Sequence, residues 1–147
     1  MAATQSILAL DLVSHDARLT ATESVDATPD LPAHLRVRGV VEDDIGFEIR
    51  CPVSDWNHKL LFGGEGGFAG TIGGPGSPSG IGLRRGYAEV YSDTGHKGEM
   101  LGGFSEVYDG RWAWQQPRRV ENWAHRSTHV VLPVAREIVH AAFGEPV

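Results

Sequence analysis

Trp56-Asn57-His58-Lys59-Leu60-Leu61-Phe62-Gly63-Gly64-Glu65-Gly66-Gly67-Phe68-Ala69-Gly70 carries more structural and chemical information than any other part of this chain. The run 59–62 reads as a short apolar strand, and it enters a turn with five glycines in the eight residues 63–70. A chain accepts that much conformational entropy cost where its backbone takes unusual φ/ψ angles or comes very close to another group. Free backbone N–H groups in such a loop can face a phosphate at a helix N-terminus. They can equally face a developing oxyanion at the end of a hydrolase strand.

The residues just beyond the loop separate the two. Gly64-Glu65-Gly66-Gly67-Phe68-Ala69 fits the dinucleotide pattern G-x-G-x-x-A, which binds pyrophosphate only if a helix starts at once. The next ten residues, 71–80, hold four glycines and two prolines, so a helix does not begin there. A G-K-[ST] phosphate loop is also missing. The oxyanion reading remains, against a plain glycine-rich surface turn.

Downstream lie Arg84-Arg85-Gly86-Tyr87-Ala88-Glu89-Val90-Tyr91-Ser92-Asp93-Thr94-Gly95-His96-Lys97-Gly98, then Asp109-Gly110-Arg111-Trp112-Ala113, then Asn122-Trp123-Ala124-His125-Arg126-Ser127-Thr128-His129. In this order the motifs resemble the N-terminal part of the tannase and feruloyl esterase family. Its pattern runs W-N-G-K, G-N-G-G-F-A-G, G-Y with S-T-D-T-G-H, a tryptophan-alanine pair and a helix reading D-[WF]-G-Y-R-A-V-H. The resemblance extends from about Leu31 to Pro146. It departs at His58, where the family usually has glycine, at Glu65, where asparagine is common, and at Ala124-His125 in place of Gly-Tyr. Leu35 stands where many members carry a cysteine, so that disulfide is not expected.

The resemblance implies an α/β-hydrolase that cleaves esters of aromatic acids through an acylated serine. The N–H groups of Gly64, Glu65, Gly66 and Gly67 would serve as oxyanion donors, and Gly66 or Gly67 foremost. In the family the nucleophile elbow, around C-S-x-G-G, comes after the segment matching 141–146, and the acid and base lie beyond a large lid. No G-x-S-x-G elbow occurs here; Gly76-Ser77 and Gly103-Phe104-Ser105 lack the second glycine. The expected fold is therefore an incomplete α/β-hydrolase, with the nucleophile strand and lid absent. The expected function is an N-terminal esterase fragment, inactive alone and without catalytic residues of its own. The alternatives are a non-catalytic remnant or one half of a split hydrolase, joining a C-terminal half or itself through an open sheet edge.

Composition bounds the other classes. The chain has 147 residues, 41% hydrophobic, which suffices for one folded domain. A net charge of −6 with no basic run longer than Arg84-Arg85 or Arg118-Arg119 argues against nucleic-acid binding. No apolar run reaches the roughly 20 residues of a membrane span. The start lacks a basic segment and a long apolar core, so a signal peptide is not expected, although relatives are often exported; location stays open. Cys51 alone forms no internal disulfide and reads as an inert core thiol.

Residues 1–30 read as a loosely attached arm, ending at Thr28-Pro29-Asp30-Leu31-Pro32, with the hydrolase portion over 31–147. Residues 35–41 and 45–51 alternate with period two around Glu42-Asp43-Asp44, predicting a hairpin. Residues 59–62 and 87–91 are further strands, the first fully buried, and 92–116 is loop. From Pro117, the positions Val120, Trp123, Ser127, Val131, Val134, Ile138 and Ala142 recur at helical spacing, with Gly144 as C-cap. Pro133 should kink or split this helix. His96 either faces the site or pins a turn with Asp93, and Trp112 with Trp114 either lines a pocket or anchors the core. His125 and His129 have i, i+4 spacing, but without a third ligand no metal is expected, and no cofactor.

Overall fold

The structure is a computed structural model that describes residues 2–64, 66–68, 70–72, 80–98 and 108–147. Glu65 and the segments containing Gly76-Ser77 and Gly103-Phe104-Ser105 lie outside the described residues.

Among the described residues five strands form one mixed sheet, in the spatial order β1 (Ala17–Val25), β2 (His34–Val41), β3 (Ile45–Pro52), β5 (Ala88–Ser92) and β4 (Leu60–Phe62). The expected hairpin is β2 (His34–Val41) and β3 (Ile45–Pro52), antiparallel through the acidic turn. Glu42 and Asp43 take left-handed φ of 55° and 62° there, as tight hairpin turns require. On one face of the pair Leu35, Val37, Val41, Ile45, Phe47, Ile49 and Cys51 are all buried. Gly39 opposes Phe47 because a Cβ at 39 would lie 2.3 Å from the ring.

The long helix covers this apolar face. It begins at Pro117 as α2 (Pro117–Glu121), passes through a π-helical turn at Asn122–Arg126 and continues as α3 (Ser127–Phe143). Val131, Val134, Ala135, Ile138 and Val139 of α3 are fully buried against the sheet. The helix is not split at Pro133, which sits on the exposed side where water can satisfy the carbonyl it leaves free. The irregularity is the π turn instead, one of the local distortions that concentrate at functional sites. Gly144 closes the helix at φ 75°, its N–H donating to the His140 carbonyl.

The opposite face carries paired charges in place of a second apolar layer. Arg38 and Arg50 donate to Glu48 at 2.8 and 2.7 Å, Arg36 donates to Glu23 at 2.9 Å, and the Arg50 guanidinium lies over the Tyr91 ring. Glu89, wholly buried, accepts the N–H groups of Gly80 and Gly82 at 3.1 and 2.6 Å. Buried charges persist only when paired or bonded in this way.

Residues 1–30 differ from the loose arm expected of them. A helix, α1 (Ala2–Leu8), packs on α3, and Ile7 and Leu12 are core residues. Strand β1 (Ala17–Val25) pairs with all of β2. Its alternation was diluted by Thr, Glu and Arg on a half-exposed edge, which hid the strand in the sequence.

β4 (Leu60–Phe62) and β5 (Ala88–Ser92) are parallel, and β4 ends the sheet. Its three side chains are half-buried and not fully buried, because among the described residues only one side of the strand has a neighbouring strand. Trp56-Asn57 holds the approach to β4. Asn57 donates to the Arg85 carbonyl at 2.8 Å and accepts the Lys59 N–H at 3.0 Å, while Trp56 stacks on Phe143 at 3.9 Å. His58 has φ 62°, which explains a usual glycine there.

Candidate functional site

The C-terminal ends of β4 and β5 and the π turn meet around a cleft of about 390 Å³. Its walls are Phe62, Gly63, Gly64 and Gly67 from the glycine loop, Ser92 and Thr94 after β5, and Trp123, Ser127 and Thr128 from the helix. Clefts at the carboxyl ends of parallel strands are where open α/β sheets place ligands.

The glycines of the loop divide by physical role. Gly63 is demanded by the fold: its N–H donates to the Val90 carbonyl at 2.8 Å, and a Cβ would sit 2.4 Å from the buried Tyr91 ring. Gly67 and Gly70 have φ of 61° and 88°, and a Cβ at 70 would press on the His96 imidazole. Gly64 and Gly66 differ, because neither has a positive φ and a Cβ on either would find no atom of the described residues within 4 Å. Among the described residues, the backbone N–H groups of Gly64, Gly66 and Gly67 donate no hydrogen bond.

The Ser92-Asp93-Thr94-Gly95-His96 motif forms a self-bonded turn. Asp93 accepts the N–H of Gly46 at 2.8 Å and of Gly95 at 2.9 Å, while burial pushes its carboxyl up. Thr94 donates its hydroxyl hydrogen to the Asp93 carbonyl, so the 3.1 Å contact to His96 Nδ1 assigns the ring proton to Nδ1. Burial pushes the His96 imidazole down, which favours its neutral form, and the ring stacks on Trp112 at 3.7 Å. Asp93 and His96 therefore share one turn but do not bond each other. Trp112 meets Phe68 edge-on and Trp123 at a tilt of 53°, and Phe68 also contacts Trp123, so an aromatic cluster runs from His96 to the wall of the cleft. Trp114 is left 77% exposed.

The acidic hairpin turn holds the π turn in place. Glu42 accepts from Arg126 and Arg118, and hydrogen bonding from Arg126 holds its carboxyl below the usual glutamate range. Asn122, fully buried, donates to Asp44 at 3.3 Å. These anchors set Trp123, Ser127 and Thr128 along the cleft. Sequence reasoning placed Trp123 and Ser127 in the helix stripe only. A serine among its apolar positions was the available sign of a second role. His125 and His129 are exposed and joined through the His125 carbonyl, and no group of three or more His, Cys, Asp or Glu among the described residues is arranged to hold a metal.

A family model described as tannase and feruloyl esterase matches residues 33–147, which is most of the chain. This protein belongs to the tannase and feruloyl esterase family. An uncharacterized esterase of Xanthomonas campestris pv. campestris is 31% identical over 115 residues, covering 76% of this chain and 18% of that protein. The crystal structure of an esterase from Aspergillus oryzae superposes with a TM-score of 0.75 at 17% identity, over 97% of this chain and 31% of that one. The fold is thus an incomplete α/β-hydrolase, and the chain spans less than a third of either relative.

Proposed function

We propose that this tannase-family chain supplies the glycine-loop half of an oxyanion hole to a serine esterase acting on aromatic acid esters. The observation that carries the reading is the pair Gly64 and Gly66. Nothing within the described residues requires glycine at either position, and both leave an N–H unspent. A carbon-free approach to the backbone serves an incoming carbonyl oxygen, whose negative charge in the tetrahedral intermediate needs donors at about 2.7–3.1 Å. Gly64, Glu65, Gly66 and Gly67 are the donor candidates, and in this fold class the second donor is the residue after the nucleophile.

No G-x-S-x-G elbow lies in these 147 residues, so the serine and its acid and base come from outside them. The chain alone is accordingly inactive as an esterase. The side of β4 that has no strand partner among the described residues is where a further strand would pair, whether from a C-terminal half or from a second copy. That edge also favours the second reading, a non-catalytic interaction module.

Hydrolysis of p-nitrophenyl acetate and methyl ferulate by the purified chain tests its inactivity; turnover above background would reveal a nucleophile within it. A chimera replacing the matching segment of the Xanthomonas esterase tests the role of the loop. It should hydrolyse esters, and Gly64→Ala or Gly66→Ala should reduce kcat at least tenfold. Unchanged kcat in both variants would remove the loop from the chemistry.

A further inference from the structure

At the end of the sheet opposite β4 lies strand β1. Its nine residues pair along one side with β2, and among the described residues the backbone of 18–25 makes no other hydrogen bond. A row of free N–H and C=O groups on a sheet edge is a template for another strand. β1 also carries an irregularity, because its register on β2 shifts between Leu19 and Ala21 and leaves Thr20 without an opposite residue. Directly opposed residues share a face of the sheet, so the shift breaks the alternation of β1 into two phases. Leu19 and Thr22 stand opposite Gly39 and Val37 on the apolar face, whereas Arg18 and Glu23 stand opposite Val40 and Arg36 on the charged face. A regular strand laid along this edge matches one phase only.

We infer that β1 is a dimerisation edge, pairing antiparallel with β1 of a second copy of this chain across a two-fold axis between Thr20 and Ala21. A second copy has the same break in its alternation, and with the axis there the two breaks coincide. Leu19 then opposes Thr22 and Ala17 opposes Ser24, apolar face on apolar face, while Arg18 opposes Glu23 on the charged face. The two-fold axis repeats each pairing, so the interface holds two Arg18–Glu23 contacts. An axis through Arg18 or through Glu23 instead sets like charges opposite each other, which is unfavourable. Both charged side chains are within reach of a partner. Arg18 pairs with Asp43 at 3.3 Å, both of them exposed, and such a pair is worth little and easily exchanged. Glu23, also exposed, accepts from Arg36 at 2.9 Å and keeps a second oxygen for another cation. Leu8 and Val13, 62% and 80% exposed, stand on the two segments that touch β1 on its N-terminal side and border the edge with apolar surface. This association requires neither the β4 edge nor the esterase reading.

Sedimentation equilibrium of the full 147-residue chain and of two charge variants tests the inference. The parent should be a dimer that dissociates on dilution. Arg18→Glu and Glu23→Arg each turn both contacts from attraction to repulsion. Each should weaken the dimer at least about tenfold, since one unit-charge contact at about 4 Å in water is a roughly fivefold factor. Mixed in equal amounts, the two variants should form a heterodimer of the parent's affinity, because both contacts then join opposite charges. Both side chains are exposed, so each variant should keep the parent's circular dichroism. A parent that stays monomeric up to its solubility limit would overturn the inference. Variants that associate as the parent does would also overturn it, by moving association to β4 or another surface. A mixture that binds no tighter than either variant alone would refute the register and with it the proposal.

Discussion

Substituting alanine along the glycine loop separates glycines that serve the fold from glycines that serve a ligand. At Gly63 the new methyl would sit 2.4 Å from Cε1 of Tyr91, a side chain with no exposed surface and therefore no room to yield. Overpacking of this kind costs roughly 1–3 kcal/mol. At Gly64 and Gly66 the methyl meets nothing among the described residues and φ is compatible, so their packing is unaffected. Restricting the unfolded chain then stabilises the fold by about 0.4–1 kcal/mol. In a domain of this size 1 kcal/mol moves Tm by roughly 3 °C. By that conversion Gly63→Ala should melt about 3–9 °C below the parent, and Gly64→Ala and Gly66→Ala about 1–3 °C above it. Thermal denaturation followed by circular dichroism on the chain alone reads all three. If Gly64→Ala and Gly66→Ala destabilise as Gly63→Ala does, their glycines belong to the chain's own packing and the case for a ligand fails.

Three further perturbations test the surrounding structure. Burial pushes the Glu48 carboxyl up, but the hydrogen bonds and charges of Arg38 and Arg50 outweigh it and hold it below its ordinary 4.5. Its contribution to stability is therefore complete above that value and lost as pH falls through the lowered folded one. Glu48→Gln should cost roughly 3 kcal/mol at neutral pH and flatten the acid limb of stability against pH, measured by urea titration; an unchanged limb would refute the pairing. The Cys51 thiol, 2% exposed and pushed by burial to about 12, should ignore Ellman's reagent in the native state and react in step with urea unfolding. Gly144→Ala should cost about 1 kcal/mol through its φ of 75° alone, since no atom of the described residues lies within 4 Å of the new methyl, and chemical denaturation would detect it.

Much of this protein is determined locally and could be read without a structure. The β2–β3 hairpin comes from period-two alternation around an acidic turn, and the helix from apolar spacing between Pro117 and Gly144. The glycine loop and the motifs after it led to the family. Each of these signals arises from neighbours within a few residues, which is why they survive in a linear string. The features decided by tertiary structure depend on which surfaces meet. β1 and α1 looked like an arm because a half-exposed edge strand and a seven-residue helix carry weak patterns, and only the groove beside α3 makes them part of the core. The π turn has no sequence signature; it exists where Glu42 and Asp44 grip Arg126 and Asn122 from across the sheet. The separation of Gly64 and Gly66 from Gly63 likewise depends on Tyr91, 28 positions beyond Gly63 along the chain, whose ring crowds one glycine and leaves the others open.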